Sequence, residues 1–318
     1  MNYLLNVAGL IAISNFKTIA YRTSCTGGAS FLDIFVLAPG IHYQQEASDL
    51  NGGEYPATGA MTSGYVFRVE NQATVTYLQR IGKTANLTTV HVAPIENNSL
   101  LAKLGLEQTD TFASVLYLIC VGMTIAAIVL LREMQDWWAL GVLCALIFAR
   151  FLNMIVIKRR LTSKGWRGAA EPGVEGDLII LMSQDRWIRM KGQVDDIKWV
   201  TAGQWLREPN DFECAAKGLA TLIVYASAAL VGNASLAGSW LLACLLVISV
   251  TLLGWSNSVT RNLRMFGRIV SVQSQQSYDR RLTMVNQLVE EKGRNDWALQ
   301  LGLIKLPPGQ AQVPTATM

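Results

Sequence analysis

Charge is scarce in this sequence. Only 16% of its 318 residues are charged, 51% are hydrophobic and the mean hydropathy is +0.28. A soluble surface needs about a quarter charged residues, so an ordinary soluble domain is a poor description of the chain. Histidine is scarcer still: His42 and His91 stand alone, far apart, without ligand spacing. No histidine-based metal site is expected. The five cysteines, Cys25, Cys120, Cys144, Cys214 and Cys244, include no C-x-x-C pair, and three fall inside apolar runs. Neither a disulfide framework nor a zinc site is expected; buried thiols are the default. Gly82-Lys83-Thr84 has the ending of a phosphate loop, but Tyr77 stands where that motif needs its first glycine. Metal, cofactor and nucleic-acid partners are therefore all absent from the expectation.

Some apolar runs are too short to span a bilayer, which takes about 20 residues. Leu4–Ile13 is one, and it lacks the positive n-region of a signal peptide. Phe31–Ala38 is another; it carries Asp33 and stops at Pro39. Both are read as buried or interfacial segments.

What the chain does have is four long apolar segments. Thr111–Leu131 contains no formal charge. The second runs from Trp137 to about Ile157, with Trp137-Trp138 at its head and Lys158-Arg159-Arg160 at its foot. Aromatics at one interface and cations at the other are the usual anchors of a transmembrane helix. The third is Gly218–Val231 with its flanks, and the fourth runs from Leu236 to about Ser256. The expected fold class is an α-helical membrane protein with four transmembrane helices, a small cytosolic α+β N-terminal domain and a cytosolic insert. The segments are residues 1–110 for that domain, 111–157 for the first two helices and 158–216 for the insert. Helices three and four occupy 217–256, and residues 257–318 form a basic juxtamembrane segment, an amphipathic helix near Tyr278–Lys292 and a disordered tail.

Within the N-terminal domain, Tyr65–Val69, Thr74–Leu78 and Thr88–Val92 alternate in the manner of strands, with Gly82–Asn86 as a hairpin connection between the last two. In the insert, Leu178–Met182 reads as a buried strand. Arg186–Lys191 alternates, with Ile188 and Met190 on one face and Trp187, Arg189 and Lys191 on the other, and a turn at Gly192 completes a hairpin. Asp195-Asp196 caps a short helix through Trp199.

Four spans put both termini and the insert on one side. The insert carries ten Lys and Arg, and the start of the tail adds Arg261, Arg264 and Arg268. The two opposite turns hold only Arg132, so the positive-inside rule places insert and termini in the cytosol of an endomembrane or plasma membrane. The tripeptides Asn86-Leu87-Thr88 and Asn97-Asn98-Ser99 fit the glycosylation sequon and point the other way.

The insert segments GWRGAAEPGVEGDLIILMSQDRW (Gly165–Trp187) and DDIKWVTAGQWL (Asp195–Leu206), with NDWALQLGLI (Asn295–Ile304), resemble a family of filamentous-fungal multi-pass membrane proteins. The resemblance runs from about the first span onward. It implies a fungal endomembrane or plasma-membrane protein and transfers no activity and no functional residue.

Three functions are compatible with these features. In the first, the protein is a non-catalytic scaffold or lipid-organising protein at the cytosolic face. Trp166, Trp187, Arg189, Trp199, Trp205, Arg261, Arg264 and Arg268 then lie against anionic headgroups or bind a protein partner. In the second, Arg150, with Asn153 a turn further on the same face, marks a channel or transporter for an anion or small amphiphile. An intramembrane arginine is a functional hypothesis by default, although it can also snorkel to the headgroups. In the third, Asp177, Asp185, Asp195 or Asp196 serve a membrane-bound enzyme acting on a lipophilic metabolite. Small-residue faces, such as Gly122 with Ala126, allow helices to pack closely within one bundle or in an oligomer.

Overall fold

The computed structural model describes residues 7–95, 111–161 and 168–305. The chain divides into two compact units, and both are discontinuous in sequence. One contains Met1–Leu50, Glu96–Lys164 and Leu206–Arg261; the other contains Asn51–Ile95, Gly165–Trp205 and Asn262–Met318.

The first unit holds four helices long and apolar enough to cross a membrane: Phe112–Glu133, Trp137–Leu161, Asp211–Asn233 and Leu236–Val259. They are 22, 25, 23 and 24 residues long, against the 20 or so needed to cross a hydrocarbon core. The first packs on the fourth and the second on the third. Trp137, Trp138 and Trp240 are exposed at one end of the bundle, and Phe112 and Trp255, in edge contact at 5.3 Å, are exposed at the other. Rings at both ends match the aromatic belts of a bilayer. Asp136 joins the two connecting turns at the first end. Its Oδ1 accepts from the Ala139 amide at 3.0 Å, and its Oδ2 accepts from the Ser235 amide at 2.9 Å and hydroxyl at 2.6 Å.

The N-terminal stretch belongs to this unit. Helix α1 (Val7–Ala12) and helix α2 (Thr18–Cys25) precede two 3₁₀ segments, Phe31–Phe35 and Ile41–Asn51. Helix α1 lies against the third and fourth spans, so closely that a Cβ at Gly9 would strike the carbonyl oxygen of Ala228.

The second unit is built on a seven-stranded sheet. Its strands are β1 (Ala57–Ala60), β2 (Val66–Arg68), β3 (Asn86–Pro94), β4 (Glu175–Met182), β5 (Arg186–Gln193), β6 (Leu263–Met265) and β7 (Arg268–Ser277), in the order β2-β1-β4-β5-β3-β7-β6. Only β3 and β5 run parallel; every other pair is antiparallel. Helices α3 (Gln72–Ile81), α4 (Val194–Thr201), α5 (Arg281–Lys292) and α6 (Asp296–Gln300) complete it. One face buries Leu87, Ile179 and Trp187 against Met284, Leu288 and Trp297 of α5 and α6.

Several expectations need correction. No contiguous N-terminal domain covers residues 1–110 among the described residues: its first part packs with the spanning helices, and its strands pair with those of the insert and the tail. A short hairpin is marginal alone, and three or more strands with a covered face are needed for stability. Three segments far apart in sequence supply them here. Thr74–Leu78 is helical because Asn71, the residue before α3, caps it, accepting the Thr74 amide at 3.1 Å. This local bond outweighs the β-preference of Thr74, Val75 and Thr76. Gly82–Asn86 therefore connects helix to strand. The β4–β5 hairpin turns at Ser183–Asp185, where Gln184 and Asp185 take positive φ, rather than at Gly192. Gly192 instead permits close strand contact, since a Cβ there would lie 2.6 Å from the Val92 carbonyl oxygen on β3. Helix α4 starts at Val194 without a side-chain cap from Asp195 or Asp196. The basic juxtamembrane segment is strand, with Arg264 on β6 and Arg268 on β7.

Candidate functional site

The largest concentration of buried polar groups lies in the unit of spanning helices. It follows from a backbone problem. The 3₁₀ segments pack beside apolar helices, and non-helical backbone in such a place must be satisfied by protein. The second span answers with Arg150, Asn153 and Arg160 on one face. Arg150 Nε donates to the Asp33 carbonyl at 3.0 Å, and Asn153 Nδ2 donates to the Ile41 carbonyl at 3.1 Å. Gln45 Nε2 donates to the Asn153 carbonyl at 2.8 Å, while Gln45 Oε1 accepts from Arg160 Nη1 at 3.3 Å. Arg160 Nε also reaches the Arg207 carbonyl at 2.8 Å, and Arg207 pairs with the buried Glu213.

Around Arg150 this polar seam widens into a charged cluster. Tyr117 of the first span donates its hydroxyl to Asp33 Oδ1 at 2.7 Å, and the Ser30 amide donates to Oδ2 at 2.7 Å. The Arg22 guanidinium sits 5.0 Å from the centre of the Tyr117 ring. Arg22, Asp33, Tyr117 and Arg150 are all at most 5% exposed. Arg150 Nη1 has no hydrogen-bond partner among the described residues. Arg150 thus turns inward and does not snorkel: at 1% exposure its guanidinium is held at Asp33. His42 lies in the same unit, packed on Tyr43 and Tyr225 at 4.3 and 5.6 Å, with neither ring nitrogen hydrogen-bonded among the described residues.

Arg150 and Asn153 were legible as intramembrane polar residues. Arg22, Asp33 and Tyr117 were not assigned to the site, although Asp33 inside an apolar run was a usable signal. Its carboxylate, like the arginines, sits among residues that would otherwise be wholly apolar.

Of the described residues expected to form a headgroup platform, Arg261 belongs to the unit of spanning helices and the others are dispersed in the sheet unit. Trp187 and Trp205 are buried at 3% and 1% exposure and cannot lie on a surface. Arg189 is also buried. It grips Asp177 with Nε and Nη2 at 3.0 and 2.6 Å and Glu291 with Nη1 and Nη2 at 2.8 and 2.5 Å; Lys292 meets Asp177 at 2.7 Å. Desolvation would lower the Arg189 pKa, but its bonds to Glu291 and Asp177 outweigh that and raise it. The Arg189 bond holds Glu291 below the usual carboxylate range. Arg268 bonds Asp196 at 2.8 Å and lies 5.0 Å from the centre of the Trp199 ring. Arg261 is exposed and Arg264 half-buried; Trp166 and Asn97 lie outside the described residues.

The four aspartates do not converge. Asp177 serves Arg189 and Lys292, Asp185 pairs with Arg281, Asp195 accepts the Glu171 amide at 2.8 Å, and Asp196 holds Arg268. Each is engaged by a different partner, as structural charges are. Among the described residues no three His, Cys, Asp or Glu side chains gather where they could hold a metal ion. Asn86 of the first sequon is paired with Ser277 in the sheet, and Thr88 is fully buried.

Comparison of the chain with protein-family models, curated proteins and solved structures gives no match.

Proposed function

We propose that the protein is a non-catalytic membrane scaffold whose sheet unit docks a protein partner on the cytosolic side. The observation that carries this reading is the open edge of β7. That strand pairs with β3 along its length, but among the described residues β6 covers its other edge only as far as Val270. The stretch Ser271–Ser277 (SVQSQQS) continues with Val272–Ser277 exposed and without a charge or proline. Soluble proteins guard such edges with lysine, proline or cover, because unpaired N–H and C=O groups template another strand. An extended partner segment that adds to an edge gains main-chain hydrogen bonds without needing a pocket. The dispersed aspartates favour a scaffold over an enzyme, and the excess of Lys and Arg in the insert favours the cytosolic side.

A photo-crosslinking amino acid at Gln276, introduced into the full chain in native membranes, tests this. The expected result is one discrete protein adduct that disappears when Gln273→Lys and Ser274→Lys charge the edge. Adducts no different from those at an exposed control position such as Glu171 would refute it.

A further inference from the structure

The N-terminal stretch runs the length of the spanning helices. Helix α1 contacts the 3₁₀ turn Val231–Asn233 that joins the third span to the fourth, and Ala8, Gly9 and Ala12 line one shallow apolar cleft with Val231 and Leu242. Gly9 is held against the carbonyl oxygen of Ala228. Ala228 lies about 25 Å from Asp211, where the third span starts, at the helical rise of about 1.5 Å per residue. At the opposite end, Asn257 Nδ2 donates to the Thr18 carbonyl at 3.1 Å, and Arg22 Nη1 donates to Thr260 Oγ1 at 3.5 Å. The fourth span finishes there, at Val259. Gly9 and Thr18 thus lie at opposite ends of the bundle.

A helix from Gly9 to Thr18 would rise only about 14 Å, which is why the run looks too short to cross. The chain is not all helix: α1 stops at Ala12, and Asn15–Lys17 has no regular structure. Helical steps to Ala12 followed by extended ones to Thr18 reach up to about 25 Å. Extended backbone at that depth must be covered by protein. The Phe16 carbonyl is covered by Gly40, so closely that a Cβ there would strike it, and Ser14 Oγ donates back to the Leu10 carbonyl at 2.9 Å. Val7, Leu10, Ile13 and Phe16 are exposed at three-residue spacing, as a lipid-facing stripe is, while Ala8, Gly9 and Ala12 face the spans. The charges agree. Met1–Phe16 contains no Lys or Arg, and Lys17 and Arg22 follow it, an asymmetry that puts the later end of the segment in the cytosol.

We infer that Val7–Lys17 is a fifth membrane crossing, part helix and part extended, and that the chain ahead of it leaves the bilayer on the side of the turns at Gln135 and Asn233. After Val259 no described helix is long and apolar enough to cross again, so the C-terminal tail is on the other side. The two termini, expected together, are separated by the membrane, and the protein presents chain to partners in both compartments. This inference does not rest on the β7 edge.

The test uses the full chain in sealed microsomes, whose cytosolic face is outward. An epitope free of Lys and Arg, which would bias insertion, is placed ahead of Met1 in one version and after Met318 in another. Added proteinase K is expected to abolish the C-terminal epitope signal and spare the N-terminal one, and to abolish both once detergent opens the vesicles. Loss of both epitopes without detergent, as for a segment that dips into the bilayer and returns, overturns the inference, and so does protection of both. The reverse pattern, N-terminal epitope lost and C-terminal kept, would support the crossing and refute the cytosolic placement of the docking edge.

Discussion

Asp33 is the residue on which the charged cluster turns. It is the only carboxylate among Arg22, Arg150 and Tyr117, and its removal leaves two guanidinium groups without compensation. Asp33→Asn also weakens the charge-assisted bonds from the Tyr117 hydroxyl and the Ser30 amide, each worth about 1.5–3 kcal/mol. Asp33→Asn is therefore expected to lower the thermal inactivation temperature of the purified protein far more than Asp185→Asn, whose exposed pair with Arg281 is worth about 0–1 kcal/mol. Equal losses from the two would show that the cluster contributes nothing. Asn153→Ala tests the backbone role of the polar seam. It leaves the Ile41 carbonyl without its donor and removes the Oδ1 acceptor of the Gln45 amide, which keeps its bond to the main-chain carbonyl of residue 153; the loss is about 1–3 kcal/mol, read in the same assay. Half of this site was legible in sequence. A charge in a long apolar run identifies itself, so Arg150 stood out. Its partners did not, because Arg22 and Asp33 lie more than a hundred residues away and nothing local says that they return to it.

Helices and strands differed in how well they could be read. The four spans were plain because a run of 20 apolar residues has no other stable fate in water or lipid. Helix α3 was misread because Thr74–Leu78 alternates and is rich in β-branched residues, while the deciding signal was the cap residue Asn71. Asn71→Ala should cost about 1 kcal/mol, seen as faster amide exchange in α3. Trp187 and Arg189 share one face of β5, as their alternation predicts, but that face is buried and not at the surface. The amphipathic helix α5 covers it, and the ion network around Arg189 is what lets a charged residue stay beneath a helix. Glu291 makes that helix pH-sensitive. Its folded pKa is depressed by Arg189, so its contribution is complete above the ordinary glutamate pKa and is lost as pH falls through the lower folded value. Amide exchange in α5 should therefore accelerate below about pH 4, and Glu291→Gln should abolish most of that dependence. An unchanged pH profile in the variant would remove Glu291 from the account.

At the scale of the molecule, the sheet makes sense of the topology. β3 precedes the first span, β5 follows the second and β7 follows the fourth, yet they are adjacent in one sheet. Strands that hydrogen-bond share one side of a membrane, so an even number of crossings separates each from the next, as two helical hairpins provide. Sequence patterns could show each polar stretch as strand-bearing but could not show this assembly: Leu87 pairs with Trp187 and Gln276 at separations that carry no local periodicity. The most direct measurement is cross-strand disulfide trapping in membranes, in a chain whose five native cysteines have been replaced. Ala57→Cys with Leu181→Cys joins β1 to β4, and His91→Cys with Ser271→Cys joins β3 to β7. Both matched pairs should oxidise readily, the mismatched pair of Leu181→Cys with Ser271→Cys should not, and all four positions should react with impermeant thiol reagents from one side only. Matched pairs that form no better than the mismatched one, or positions that label from opposite sides, would contradict the single sheet and the scaffold built on it.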